Sequence, residues 1–163
     1  MDLQFKRLSE ISSADIIELN NNPDVLRHMP LGRPDFDEAK CSAWVAEKES
    51  QWLLNGYGPW AFWVNQTFAG WGGLQQEQGD ADLALVLHPD YWGLGKAIFD
   101  EIVRRAFQEM GLGSVTILLA PSRTRIKGIL RIGFRRDGEV EVDGIRFARY
   151  RLLASTRACI QRR

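Results

Sequence analysis

The sequence lacks three features that would each indicate a particular class of protein. Its 163 residues contain only two cysteines, Cys41 and Cys159, too few for the disulfide framework of small secreted domains. Its 21 basic and 21 acidic residues cancel, so no excess of positive charge indicates nucleic acid as a partner. No apolar run is long enough to span a membrane, and the charged, alternating start at Met1–Lys6 does not match a secretory signal. We therefore expect a cytoplasmic protein that binds neither a membrane nor nucleic acid.

What the sequence does contain is a strand, a glycine-rich turn and a helix in direct succession. The apolar strand Leu83–Leu87 stops at Pro89, which has no amide hydrogen to continue it. After the turn Gly93–Ala97, apolar residues recur at helical spacing. They are Ile98, Phe99, Ile102, Val103, Ala106, Phe107 and Met110. Because the first amides of a helix are unpaired and carry partial positive charge, small residues there let a phosphate approach, and Lys96 adds a full charge.

Two common nucleotide-binding motifs do not fit this turn. A nucleotide P-loop has the pattern Gly-x-x-x-x-Gly-Lys-Ser/Thr, but Asp90 occupies its first glycine position and Ala97 its hydroxyl position. The dinucleotide fingerprint Gly-x-Gly-x-x-Gly/Ala fails because Ile98 occupies its last position. Nucleotide hydrolysis is therefore disfavoured. The alternative that stays open is a tight turn whose glycines serve only packing.

The rest of the chain predicts further strands and helices around this unit, all in one domain over residues 1–154. Strands are predicted at 3–8, 60–64, 67–75, 83–87, 114–120, 134–142 and 145–153. Helices are predicted at 12–20 with a short restart at 24–26, from 35–37 onward, after the glycine turn, and at 123–132. The order is β-α-α-β-β-β-α-β-α-β-β, followed by a loose basic tail at 155–163. Gly70, Gly72 and Gly73 predict a bulge or a close backbone approach in the third strand.

The central turn resembles the pyrophosphate loop of the GNAT acyl-CoA N-acyltransferases, Gln/Arg-x-x-Gly-x-Gly/Ala. The segment Tyr91-Trp-Gly-Leu-Gly-Lys-Ala97, with Leu87-His-Pro-Asp90 before it, is similar to the form found in the RimJ/RimL-like branch. The segments Gly56–Ala61 and Gly133–Gly138 match the same branch, and the resemblance covers about Leu3 to Ala154. It implies an α/β GNAT fold, in which about four helices flank a mixed, mostly antiparallel twisted sheet of about seven strands.

The resemblance also implies where acetyl-CoA binds. In this family the pantetheine arm lies along the central strand like an added strand, and a backbone amide there polarises the acetyl carbonyl. The matching residues are Leu85, Val86 and Leu87. The pyrophosphate binds the loop that starts at Trp92 and continues through Gly93, Leu94, Gly95, Lys96 and Ala97. Acetyl-CoA is thus the expected cosubstrate, and no metal is expected.

For proton transfer the sequence departs from the family pattern. Ser122 stands where many members have Asn, and its hydroxyl can still donate a hydrogen bond to the cofactor or the leaving thiolate. Ile129 stands where many have a Tyr acid. Asp82 matches a branch-typical Glu and can take a proton directly or through a water, although it fits a solvated strand-edge carboxylate equally well. We predict Asp82 and Ser122 as the catalytic pair. His88 is not assigned as a base, because its His-Pro turn is common in the branch without a proton role.

Two further groups keep alternative interpretations. The basic residues Arg123, Arg125 and Lys127 either contact CoA phosphates or form a solvated helix face. The aromatic residues either line an acceptor cleft or belong to the core, and the core is favoured for each of them. They are Tyr57, Trp60, Trp63 and Trp71.

The reaction implied is acetyl transfer from acetyl-CoA to a primary amine. A lysine amine, with a pKa of about 10.4, needs a stronger base than an α-amine at about 7.7 to 8. A site without a strong base favours the α-amine of a protein or peptide N-terminus, although drug and polyamine acetyltransferases share the fold. The alternative is an acyl-CoA-binding sensor or partner module without turnover, since the Asn and Tyr positions differ. The sequence is compatible with a monomer or a homodimer.

Overall fold

Seven strands form one sheet in the computed structural model, which describes residues 2–162. The strands are β1 Leu3–Lys6, β2 Pro59–Val64, β3 Thr67–Glu77, β4 Asp80–Leu87, β5 Ser114–Leu119, β6 Arg135–Val142 and β7 Ile145–Leu153. Their order across the sheet is β1-β2-β3-β4-β5-β7-β6. Neighbours are antiparallel except β4 and β5, which are parallel. The predicted mixed, mostly antiparallel sheet of about seven strands is confirmed.

Six α-helices lie within residues 2–162. They are α1 Ser13–Asn21, α2 Pro23–Leu26, α3 Glu38–Asn55, α4 Gly95–Arg104, α5 Lys127–Ile132 and α6 Ala154–Gln161. Side-chain caps start two of them, α2 and α3. The Asp37 side chain accepts the Lys40 amide at 2.8 Å to start α3, and Gly56 ends it with a left-handed φ of 76°. α4 continues as a π-helical turn over Arg105–Glu109. None of the helices within residues 2–162 has the length and apolar character needed to cross a bilayer.

Two predictions about the C-terminal third are wrong. Residues 123–126 are not helical, because α5 starts only at Lys127. Within the tail predicted as loose, 155–161 are helical and belong to α6, while Arg163 lies outside the described residues. α6 packs so closely on the backbone that a Cβ on Gly133 would lie 2.9 Å from Ile160 and 3.3 Å from Thr156. This contact forms only in the folded chain, so helical periodicity over eight residues could not reveal it.

Both faces of the sheet are covered around β4. On one face, Leu83 and Leu87 of β4 pack with Ile98 and Ile102 of α4 in the larger core. On the other face, Trp71 of β3 lies in a second core with residues of the N-terminal helices, including Ile16, Leu19 and Cys41. Trp60 and Trp71 are 6% and 5% exposed. The core interpretation of these two tryptophans is therefore confirmed.

The glycines of β3 allow an unusually close approach to β4, as predicted. A Cβ on Gly72 would lie 2.4 Å from the carbonyl oxygen of Ala84, and one on Gly70 would lie 2.2 Å from that of Val86. These oxygens belong to the backbone of the paired strand, so they cannot move aside without disturbing the β3–β4 ladder.

We expect the Gly72→Ala substitution to lower the free energy of unfolding by about 1–3 kcal/mol or more, because the added methyl group overpacks the sheet. Urea unfolding followed by circular dichroism measures this. Gly128→Ala is the matched control, since a Cβ there meets no atom within 4 Å and alanine favours a helix by up to about 1 kcal/mol over glycine. Equal midpoints for Gly72→Ala and the unmodified chain would contradict the prediction.

Candidate active site

The two central strands separate from each other and leave an opening in the sheet. β4 and β5 pair in parallel at Asp82 and Thr116, whereas β3 and β4 pair at every position from Gly70–Leu87 to Glu77–Asp80. Beyond the Asp82–Thr116 pair, β4 continues to Leu87 and β5 to Leu119 without further pairing within residues 2–162. The backbone groups of β4 that face β5 over this stretch are available to an extended ligand.

The glycine turn lies at the wide end of this opening. A 3-10 turn over Pro89–Leu94 connects the end of β4 to the first residue of α4, Gly95. Leu94 occupies the N-cap position, where it has no side-chain acceptor for the first amides of α4, and the first turn of α4 contains no acidic residue. These amides, the helix dipole and Lys96 together make this helix end positive and suited to an anion.

The glycines of the turn are not explained by packing. Neither Gly93 nor Gly95 has a positive φ. A Cβ on Gly93 would meet no atom within 4 Å, and one on Gly95 would meet only Leu85 and Leu87 side-chain carbons at 3.9 Å, an ordinary contact. The chain by itself thus tolerates a side chain at both positions, unlike at Gly72. Neither the backbone conformation nor the packing of the turn therefore requires glycine at these two positions.

Trp92 fixes the turn to the central strand. Its indole N–H donates a hydrogen bond of 2.9 Å to the carbonyl oxygen of Leu87. Its ring, 48% exposed, meets His28 edge-on at a centroid distance of 5.6 Å. Trp92 therefore holds the loop and the end of β4 in a constant relative position while one part of its ring stays open to solvent.

Asp82 lies at the narrow end of the opening, in an environment that changes its acidity. Burial raises the pKa of Asp82 to about 7, and the nearby carboxylates Glu77 and Asp80 act in the same direction. The buried Thr116 hydroxyl opposes this by donating a hydrogen bond of 2.9 Å to Asp82 Oδ1. Asp82 is thus a partly buried carboxylate that exchanges a proton near neutral pH, and the solvated strand-edge alternative does not describe it.

The structure does not bring Ser122 next to Asp82. Ser122 lies in an exposed turn after β5, six residues beyond Thr116, the strand partner of Asp82. At about 3.3 Å per strand residue, the part of β5 from Thr116 to Leu119 alone separates them by about 10 Å. Asp82 and Ser122 therefore lie at opposite ends of the opening and do not form one contact pair.

The basic segment follows Ser122 at the wide end. Arg123 and Arg125 lie in the loop, and Lys127 begins α5; all three are exposed. Arg123 and Thr124 help to line a pocket of about 320 Å³, together with Arg136, Arg146 and the ring of Tyr150. The local geometry leaves both interpretations of this segment, phosphate contact or solvated surface, in place.

Sequence reasoning missed a polar group beside Asp82. Gln75 of β3 is the direct cross-strand partner of Asp82, so their side chains lie on the same face of the sheet. Lys48 of α3 donates a hydrogen bond to Gln75, and its ammonium lies 5.6 and 5.5 Å from the ring centroids of Trp44 and Trp71. Burial lowers the pKa of Lys48. The strand register connects Gln75 with Asp82, and the packing of α3 on the sheet connects Lys48, so residues from distant parts of the chain meet only in the fold.

Comparison with known proteins identifies the architecture that carries this site. A family model described as an acetyltransferase (GNAT) domain matches residues 3–135. The chain belongs to the GNAT acetyltransferase family. The opening between β4 and β5 and the glycine turn lie within the matched residues, so both are part of the GNAT domain of this chain.

The similar proteins carry names that refer to different acetyl acceptors. The FsC-acetyl coenzyme A-N(2)-transacetylase of Aspergillus fumigatus is 28% identical in an alignment 117 residues long, and the match covers 61% of this chain and 47% of that protein. The chain therefore spans about half the length of this curated relative. A spermidine N-acetyltransferase from Vibrio cholerae, solved with CoA and spermine, superposes with a TM-score of 0.72 at 14% identity and covers 96% of this chain and 98% of its own.

A second solved structure, described as a candidate ribosomal-protein-serine acetyltransferase from Vibrio cholerae, has a TM-score of 0.65 at 15% identity. It covers 93% of each chain. At such identities the two solved structures establish the shared GNAT fold and do not define the acceptor.

Proposed function

We propose that this GNAT protein is an acetyl-CoA-dependent N-acetyltransferase that acts on a primary amine. The observation that carries the proposal is the opening between β4 and β5, which leads from the uncapped start of α4 to a carboxylate whose pKa lies near neutrality. One end of this opening suits an anion and the other suits proton transfer. Acetyl transfer from acetyl-CoA to an amine uses both, because the phosphates of the cosubstrate must be positioned and the amine must lose a proton.

In this proposal the residues of the wide end bind the cosubstrate. The amides of Gly93, Leu94, Gly95, Lys96 and Ala97 hold the pyrophosphate of acetyl-CoA. The open backbone edge of β4 at Leu85, Val86 and Leu87 pairs with the pantetheine arm, and an amide of the same stretch polarises the acetyl carbonyl. Trp92 supports this arrangement by fixing the turn to Leu87.

Asp82 then receives the proton that the acceptor amine loses. Three strand residues, about 10 Å, separate Asp82 from Leu85, so we assign the transfer to a path through water. The carboxylate is kept in the basic form above about pH 7 and is held in place by Thr116. Ser122 lies near the wide end, where its hydroxyl is the proposed donor to the leaving thiolate.

The proposed acceptor is an α-amine such as a protein or peptide N-terminus. A base with a pKa of about 7 is well matched to an α-amine at about 7.7 to 8 and poorly matched to a lysine amine at about 10.4. The segment Tyr91–Ala97 supports placing the chain in the RimJ/RimL-like branch.

One observation favours a second candidate, an acyl-CoA-binding module without turnover. Ile129 occupies the position where many relatives of this fold have a Tyr acid, and here it packs against the larger core. Without a phenol, only the exposed Ser122 is left among the predicted residues to protonate the thiolate.

Thiol release from acetyl-CoA with a panel of amines tests the proposal. The panel contains a peptide with a free N-terminus, the same peptide N-acetylated with one lysine, and spermidine, and CoA affinity is measured in parallel by calorimetry. We expect the largest kcat/KM at pH 7 for the free N-terminus. CoA binding without turnover on any amine would favour the binding module, and absence of CoA binding would overturn the proposal as a whole.

A further inference from the structure

The C-terminal helix places a buried arginine behind the anion-binding turn. Arg157 is 9% exposed, and its Nη2 donates a hydrogen bond of 2.8 Å to Asp100 Oδ1 on α4. Its Nε is buried and has no hydrogen-bond partner among the residues that the structure describes. Burying an arginine lowers the stability of the fold unless its charge is compensated. Asp100 supplies that compensation from the helix that starts at the glycine turn.

The helix α6 begins near the C-terminal end of α4 and is joined to α4 through Arg157. The amide of Ala154, the first residue of α6, donates to the carbonyl of Gly113, beyond the C-terminal end of α4. Arg157, three residues later, reaches Asp100 in the middle of α4. The first turn of α6 is therefore already connected to α4 one helical turn away from Lys96.

Asp100 joins Arg157 to the lysine of that turn. Asp100 Oδ2 accepts a hydrogen bond of 2.8 Å from Lys96 Nζ, one helical turn earlier. Burial opposes ionisation of Asp100, but the hydrogen bonds from Lys96 and Arg157 lower its pKa overall. The three side chains form a row of charges in the order positive, negative, positive.

The position of Asp100 is unfavourable for an anion unless its charge is offset. It lies five residues after Gly95, which is about 7.5 Å along the helix axis. At that distance a carboxylate repels a bound pyrophosphate, and it also pairs with the single lysine of the turn. Lys96 and Asp100 alone would leave this helix end with no net side-chain charge.

We propose that Arg157 is a positioning residue of the CoA site, which compensates the charge of Asp100 from the buried side and so leaves Lys96 and the start of α4 with a net positive charge. This inference rests on the proposed function, because it assumes that the pyrophosphate binds at Gly93–Ala97. Through Arg157, the helix α6 becomes part of the cosubstrate site.

CoA affinity of four variants, measured by calorimetry on the full chain at low ionic strength, tests the inference. We expect Arg157→Met, which keeps an apolar side chain in the buried position, to weaken CoA binding roughly five- to tenfold. Asp100→Asn should bind at least as tightly as the unmodified chain. The double variant should return to within about twofold of it, and Arg157→Lys should retain the affinity because it keeps the charge.

Two controls separate charge compensation from packing of α6. Arg104→Met removes an arginine from the exposed side of α4, where it pairs with Glu101 and Glu109, and should leave CoA affinity unchanged. The loss in Arg157→Met should shrink at high salt, because partly exposed charges are screened, whereas a packing defect would persist.

The inference is overturned if the double variant binds CoA as weakly as Arg157→Met. If Arg157→Met does not fold, Asp100→Asn decides, since weaker binding by that variant contradicts a repulsive Asp100. Failure of the proposed site itself looks different: in that case Gly95→Val would keep full CoA affinity. If Gly95→Val loses CoA affinity while Arg157→Met keeps it, this inference is rejected and the proposed function is retained.

Discussion

We expect the Asp82→Asn protein to turn over acetyl-CoA about 10²–10⁴-fold more slowly than the unmodified chain, with little change in CoA affinity. This is the typical contribution of a general base. In the unmodified chain, turnover should rise with pH through about 7, where the Asp82 carboxylate becomes available. In the variant this rise should disappear, and activity should increase only at higher pH as the acceptor amine loses its own proton. Steady-state thiol release between pH 5.5 and 9.5 measures both effects.

The same substitution has a second, independent consequence for stability. Burial raises the pKa of Asp82 from 3.8 to about 7, so the fold favours the protonated form. The corresponding stabilisation is complete below about pH 3.8 and is lost as the pH rises through about 7. Because one pKa unit corresponds to about 1.4 kcal/mol, Asp82→Asn should gain up to about 4 kcal/mol relative to the unmodified chain between pH 4 and pH 8.

Asp143→Asn is the matched control for Asp82→Asn. Asp143 lies in the exposed β6–β7 turn with a φ of 49°, a conformation that asparagine also accepts. This control should change neither the pH profile of turnover nor the pH dependence of unfolding. Full activity of Asp82→Asn across the pH range would show that water or the acceptor's own acidity replaces the carboxylate.

The Gly95→Val protein should lose CoA binding at least 100-fold while it remains folded. A Cβ at Gly95 has Leu85 and Leu87 as its nearest neighbours at 3.9 Å, so the fold accepts it. The two methyl groups beyond that Cβ would occupy the space beside the proposed pyrophosphate and pantetheine positions. A loss of about 2.7 kcal/mol corresponds to this 100-fold change. Calorimetry with CoA, combined with thermal unfolding, measures both parts of the expectation.

Gly113→Val is a control with the same chemical change at another open glycine. A Cβ there meets no atom within 4 Å, and Gly113 lies at the end of the molecule where α6 begins, away from the turn. We expect unchanged CoA affinity in this variant. If Gly95→Val binds CoA as well as Gly113→Val does, the pyrophosphate does not bind at this turn.

Local sequence patterns determined the order of elements and the position of the turn. The apolar spacing from Ile98 to Met110 predicts α4 because it repeats with the helical period within one segment. Pro89 ends β4 and the glycines open α4 through backbone properties of single residues. The glycines of β3 indicated the close approach to β4 for the same reason. These features depend on residues that are close together in the sequence, so the sequence alone reveals them.

The chemistry of the candidate site was decided by the tertiary structure. Asp82 and Thr116 are 34 residues apart, and only the parallel register of β4 and β5 brings them together. The pKa of Asp82 comes mainly from burial, a property that the packed chain creates and no short segment carries. Strand pairing places Gln75 beside Asp82, and the hydrogen bond from Lys48 of α3 joins that helix to Gln75, whereas Ser122 lies away from Asp82 in the turn after β5.

The helix α6 is the clearest case of an element that tertiary contacts decide and the local sequence pattern does not. Its eight residues, Ala154–Gln161, are too few and too mixed in polarity for periodicity to predict a helix. The helix forms where Gly133 leaves room for Ile160 and Thr156, and where Asp100 pairs with Arg157. The sequence by itself thus determined which segments are strands, turns and helices wherever the pattern is local. Only the fold decided which side chains meet, because those contacts depend on register, burial and charge pairing between distant segments.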